Sequence, residues 1–269
     1  MSAMACFRQL LQACIFGATF VRVKLIGLLL IMAGALYAQV DVANLDEGFD
    51  KPLKKTVLDL GPSPLSMPSR QVRNKLRCYY YPTFTVKEYD TGEKGAEWLS
   101  LVPYAQAACV RKHTEDERVY TREWSGYFWG AKGTSAFFIA SDGDSGGTPF
   151  AVFDVRTGRK LFEDSSLLDY YKKKLHIKDT FRITSGPDEI PRFTYFRVVP
   201  AGCNLKAQQW ECWKKVRVQF GITQTDLPVC SGYEQADWES VIVYPVSVVL
   251  TNSPQIKAAD GPAFCWPEN

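Results

Sequence analysis

Residues Ser141-Asp142-Gly143-Asp144-Ser145-Gly146 set side-chain oxygens at closely alternating positions, the donor type that a calcium ion takes. An EF-hand would need a glutamate at the twelfth loop position, which counted from Asp142 is Phe153. Asp142, Asp144 and Ser145 could therefore build only an irregular calcium site. The preferred reading is a glycine-rich turn between two strands, in which Asp and Ser bond to neighbouring backbone and Gly supplies positive φ. A second cluster, Trp124-Ser125-Gly126-Tyr127-Phe128-Trp129, could present Trp124, Tyr127 and Trp129 as a ligand-binding platform for sugar rings or a protein surface. Bulky residues at strand spacing more often fill a core, and that is the expectation here. Glu115-Asp116-Glu117 and Glu163-Asp164 supply carboxylates for acid–base work, but sequence alone gives no distance between them, and solvated surface positions are commoner.

Gly143-Asp144-Ser145-Gly146-Gly147 is similar to the nucleophile loop of the chymotrypsin-family serine proteases. The resemblance implies a tight turn whose backbone N–H groups form an oxyanion hole, with Ser145 as the attacking group. It covers five residues, and the rest of the chain departs from the family. The family's histidine stands in a Thr-Ala-Ala-His-Cys-like context many tens of residues upstream. Here the only upstream histidine is His113, 32 residues before Ser145 and flanked by Lys112 and Thr114. Thr148 replaces the proline usual after the double glycine. No catalytic residue is assigned from this motif, because its partners are missing. No phosphate loop, dinucleotide fingerprint or metalloprotease helix is present either.

These groups sit in a chain of 269 residues with eight cysteines and two histidines. Leu25 to Ala38 is an apolar run behind Arg22 and Lys24, with small residues at its end. Those are the parts of a cleavable signal peptide, expected over residues 1–38, and the run is short for a membrane span. The leader carries Arg8, Arg22 and Lys24 and no acidic residue, so the +3 formal charge leaves with it. A neutral mature chain has no electrostatic footprint for nucleic acid. Cys6 and Cys14 leave too, and Cys78, Cys109, Cys203, Cys212, Cys230 and Cys265 remain, an even set suited to disulfides in a secreted or periplasmic protein. Fifteen pairings are open to six cysteines; the short-range set Cys78–Cys109, Cys203–Cys212 and Cys230–Cys265 is the simplest. Without C-x-x-C spacing, metal and redox roles are not favoured.

The elements that must position these groups are mostly strands. Gln39 to Arg77 reads as an extended, proline-rich lead-in, because three prolines fall between Gly61 and Ser69. Strand character runs from Cys78 to Asp90, turns at Thr91 to Gly95 and returns over Ala96 to Val102. Further strands are expected at Ser135–Ala140, Phe150–Val155, Lys160–Glu163, Phe181–Thr184, Phe193–Val199 and Val241–Leu250. Helices are expected at Ser166–Leu175 and at Asn204–Phe220, the latter with an Asn cap and Gly221 after its end. The sum is one β-rich α+β domain over 78–269: an antiparallel, meander- or sandwich-like sheet with about two helices packed on it, stapled by disulfides. The function expected is an exported, non-catalytic binding or structural protein, with a protein or carbohydrate as its class of partner. No cofactor is expected, calcium being the one candidate, and no membrane span is expected after leader cleavage. A secreted hydrolase using surface carboxylates or the Ser145 loop is the alternative.

Overall fold

The computed structural model describes residues 48–268 except 94, 122, 123, 168–172, 174, 178–180, 187 and 233–237. The expected signal peptide, the first residues of the lead-in and most of the expected helix at 166–175 lie outside the described residues.

Alternation of apolar and polar side chains builds a five-stranded antiparallel sheet in chain order: β1 (Lys54–Pro62), β2 (Arg73–Tyr80), β3 (Thr85–Asp90), β4 (Trp98–Val102) and β5 (Arg118–Tyr120). A wider sheet follows from β6 (Gly126–Lys132), β7 (Ser135–Ala140), β8 (Gly147–Asp154), β9 (Lys160–Leu167), β10 (Phe181–Ser185) and β11 (Pro191–Pro200). It is completed by β12 (Val229–Cys230), β13 (Ser240–Val249), β14 (Gln255–Ala258) and β15 (Phe264–Pro267). Its order is β12-β15-β13-β11-β9-β8-β7-β6, with β10 added to β11 and β14 to β13. Every pairing is antiparallel except β12 with β15.

The wide sheet is a middle layer. On β7, Ala136 and Phe138 face the five-stranded sheet and pack with Tyr79, Val86, Leu99 and Leu101. Phe137, between them, enters the opposite core with Phe150, Phe193 and Trp213. A strand buried on both faces reads as a continuous apolar run, which is what Ala-Phe-Phe-Ile is. The far layer is α1 (Leu205–Phe220), whose buried Leu205, Cys212, Trp213 and Val216 recur along one face. Asn204 caps it by accepting from the Ala207 amide at 2.9 Å, and Gly221 ends it at φ +66°.

The protein is therefore β-rich, antiparallel and disulfide-stapled, with a single helix of more than one turn among the described residues. All three short-range cysteine pairs are bridged: Cys78–Cys109, Cys203–Cys212 and Cys230–Cys265, with Cα separations of 5.9, 5.8 and 4.4 Å. The lead-in differs from expectation. Lys54 to Pro62 pairs with β2, because Pro62 stands only at the strand's last position, where a lost ladder donor is tolerated. The expected helix start at Ser166 also differs. Ser166 pairs with Thr148 on one side and Arg197 on the other, so its backbone is committed to the sheet and cannot cap a helix. No helix of the described residues is long and apolar enough to cross a membrane.

Candidate functional site

The connection from β4 to β5 runs over the outer face of the five-stranded sheet and is fixed there at several points. Cys109 is bridged to Cys78 on β2. The Thr85 hydroxyl donates to the Tyr104 carbonyl at 3.2 Å and accepts from the Ala107 amide at 3.3 Å. At the far end Glu117 is buried and gathers four donors. Lys87 Nζ lies 2.9 Å from Oε2, Ser100 Oγ donates to Oε1 at 2.5 Å, and the Thr114 amide donates to Oε2 at 3.1 Å. His113 Nδ1 is 2.9 Å from Oε1, and the ring meets Trp98 edge-on at 4.5 Å between centroids. Lys87 and Glu117 have side chains 1% and 0% exposed, so this is an ion pair inside the protein.

A second polar pair faces the other way along β3. Glu88 points into the space between the sheets, where Arg77 donates to it at 2.6 Å and the Phe128 amide at 2.8 Å. That amide belongs to the bulge where β6 slips register against β7, so Glu88 satisfies a donor that the ladder leaves over. Burial would raise both carboxyls. For Glu117 the hydrogen bonds from Ser100, His113, Lys87 and Thr114 outweigh burial and hold it below its ordinary 4.5. For Glu88 burial prevails over Arg77 and the Phe128 amide, and its pKa is raised. The stability Glu117 contributes is present above about pH 4.5 and lost as pH falls through its folded-state value. Ionisation of Glu88 costs stability, and that cost is relieved as pH falls through its raised value. A carboxyl NMR titration should place Glu117 and Glu88 on opposite sides of 4.5; the same side for both would refute this assignment.

A third hub lies in the core beneath α1. Asp164 on β9 accepts from Tyr195 Oη at 2.5 Å and from Arg197 Nε at 3.0 Å, and Arg197 Nη1 reaches Tyr244 Oη at 3.4 Å. β9 and β11 share only the Arg197–Ser166 register position, and β10 takes residues Pro191 to Tyr195 of the same edge of β11. The carboxylate thus ties the sheet together where its backbone ladder is interrupted. Burial, with the Asp164 charge beside it, pushes the Tyr195 hydroxyl up, so it stays a proton donor to Asp164.

The Ser145 loop is elsewhere, at the tip of the β7–β8 hairpin. Asp144 and Gly147 exchange backbone hydrogen bonds of 2.9 and 2.8 Å around Ser145 and Gly146, whose φ values are +48° and +88°. Two successive positive φ values make this a two-residue turn of the I′ kind, the usual hairpin closure. The Gly147 amide is engaged by Asp144. The Ser145 carbonyl accepts from Trp266 Nε1 at 3.0 Å, and Ser145 Oγ is 3.3 Å from Asp144 Oδ1. A cavity of about 180 Å³ opens beside it, lined by Asp144, Ser145, Ser165, Val198, Val241 and Glu268. His113, the histidine upstream of Ser145, lies in the β4–β5 connection against the five-stranded sheet, bonded to Glu117.

No protein-family model, curated protein or solved structure matches this chain. The residues alone must carry the assignment.

Among the described residues no group of three or more His, Cys, Asp or Glu is placed to hold a metal ion. Asp142 and Asp144 stand with Ser145 on the hairpin tip. The aromatic cluster does not share one open face. Trp124 is buried between the sheets, and Trp129 packs against Phe49, Phe150 and Phe181 toward the helix layer. Tyr127 uses its hydroxyl to fasten the β3–β4 turn, donating to the Glu93 carbonyl and accepting from the Gly95 amide, each at 3.2 Å. Of the carboxylate sets, Glu115, Asp116 and Glu163 are exposed, while Glu117 and Asp164 are hubs of separate networks. Lys87 and Ser100 escape sequence reasoning. Their one signal is a Lys-Glu pair inside the aromatic and β-branched stretch from Cys78 to Asp90, where every charge needs a partner.

Proposed function

We propose that this chain is an exported, disulfide-stapled protein with a binding or structural role, and that the segment Val110–Asp116 is its contact surface. One observation carries the reading: these residues are exposed in an unbroken run between two fixed points, the Cys109 bridge and buried Glu117. Loops held by a rigid scaffold are where recognition residues concentrate, and a preorganised loop loses less conformational entropy on binding. Val110, Arg111, Lys112, Glu115 and Asp116 offer an apolar contact flanked by both charge signs, which suits a protein partner with a mixed polar rim. The leader-like run before residue 39, with its basic flank, and the three bridges support a secreted or periplasmic location. A binding rather than catalytic role is supported by how the polar groups are used, since Glu117, Asp164 and Ser145 all have partners inside the protein.

The test is a photoreactive residue at Lys112, with Lys257 on β14, also exposed, as control. A defined adduct at Lys112 and none at Lys257 is expected in the producing cells. Equal or absent adducts at both positions would sink the loop assignment, and fluorophosphonate labelling of Ser145 would favour the hydrolase.

A further inference from the structure

Among the described residues, sheet edges are mostly covered or short. β6 is covered by the preceding chain, where the Asp50 amide donates to Ala131 and the Ala96 amide to Gly126. β5 and β12 have three and two residues. β1 is different: nine residues long, it stands at the end of the five-stranded sheet and pairs only with β2 among the described residues. The strand and its flanks also carry exposed apolar side chains, with Val57 52% exposed within it and Leu53 73% and Met67 63% exposed on either side. An open strand of this length is a template for another strand.

We propose that β1 pairs with β1 of a second copy of this chain, antiparallel and centred on Val57, to form a two-fold symmetric dimer. The charge pattern selects this partner and this orientation. Lysines on an edge ordinarily repel an incoming strand. Here Lys55, Val57 and Asp59 share one face of β1, opposite Tyr79, Arg77 and Lys75 of β2. Antiparallel pairing about Val57 sets each Lys55 against Asp59 of the other copy and the two Val57 side chains against each other. A parallel register would align Lys55 with Lys55 and Asp59 with Asp59. Within one chain Arg73 on β2 pairs with Asp59 Oδ2 and the Gly61 amide donates to Oδ1 at 3.0 Å; the Asp59 side chain is still 51% exposed, so an incoming lysine can reach it. The same surface patch then serves both copies, as a two-fold interface requires.

Sedimentation velocity on the expressed protein over a concentration series tests this. The wild type should show a concentration-dependent dimer. Lys55→Asp and Asp59→Lys each place like charges opposite one another twice, so each should weaken self-association at least about tenfold. Mixing the two variants restores every opposite-charge contact, so the equimolar mixture should associate as the wild type does. Both side chains are exposed, and cooperative melting near the wild-type temperature checks that each variant folds. A Val57→Cys variant gives a second readout: it should form an interchain disulfide, whereas Thr56→Cys, opposite Leu58 of the other copy, should not. A wild type monomeric at every concentration, a dimer indifferent to both charge reversals, or a mixture no heavier than its parts would each overturn the proposal.

Discussion

Replacing Glu117 with Ala is expected to destabilise the protein by about 3–5 kcal/mol, because it leaves the Lys87 ammonium buried with no counter-charge. The cost is larger than that of an exposed ion pair since neither partner can return to water without opening the sheet. Ser100 Oγ and the Thr114 amide lose their acceptor in the same step, each adding the penalty of an unmade hydrogen bond. The effect belongs to the uncompensated charge rather than to the net strength of the pair. Hence Lys87→Met combined with Glu117→Gln, which removes both charges and keeps an acceptor for Ser100, should recover most of the loss. Denaturant unfolding of wild type, single and double variants measures this directly. A single variant within 1 kcal/mol of wild type, or a double variant as unstable as the single, would show that the pair is better solvated than its burial implies. In the single variant the loop from Tyr104 to Asp116 should also lose protection against proteolysis, because its hydrogen bonds to the Glu117 carboxylate would be gone, leaving the Cys109 bridge, the Thr85 hydroxyl and the ring contacts of His113 with Trp98 and Arg111 with Tyr89.

Strands β7, β8, β11 and β13 and the helix are legible in the sequence because local signals agree there with the tertiary structure. Ser-Ala-Phe-Phe-Ile-Ala is apolar on both sides of the pleat, and Asn204 and Gly221 bracket a helix with one buried face. β1 is not legible, because its prolines are near enough to read as a break, and its ladder depends on β2, a partner no local pattern names. The register slip at Phe128 and the interrupted β9–β11 ladder are equally silent, as they arise from strands competing for one edge. The site divides the same way. Glu117 and Asp164 can be singled out as carboxylates, but which of neighbouring Glu115, Asp116 and Glu117 turns inward is decided by Lys87 and Ser100, distant in sequence and adjacent only across β3 and β4. Cysteine pairing is the exception. Of the fifteen pairings open to six cysteines, the set with the shortest separations, which restricts the unfolded chain least, is the one the protein forms.

Substituting Ala for Gly146 is expected to cost on the order of 2–4 kcal/mol, whereas Ser145→Ala should change stability by less than about 0.5 kcal/mol. The asymmetry follows from the turn. Gly146 has φ +88°, where an added Cβ is strained, and that Cβ would lie 2.5 Å from Trp266 Cζ2. Trp266 cannot yield, because it is buried with Leu167, Val198, Val241 and Val243, and its Nε1 is held by the Ser145 carbonyl. Moving the ring would give up that hydrogen bond and open the cluster between the hairpin tip and β15, whose neighbouring Cys265 is bridged to Cys230. Ser145, by contrast, offers a hydroxyl with one long contact to Asp144. Thermal melts of the two variants decide between the readings of the Gly-Asp-Ser-Gly-Gly motif. A nucleophile loop requires its serine for activity and its glycines for the space around an oxyanion. A hairpin closure packed on a tryptophan requires its second turn glycine for the fold and can lose the serine hydroxyl with little effect. A Gly146→Ala protein as stable as wild type would show that Trp266 does not clamp the loop, and would return the serine to consideration as a reactive group.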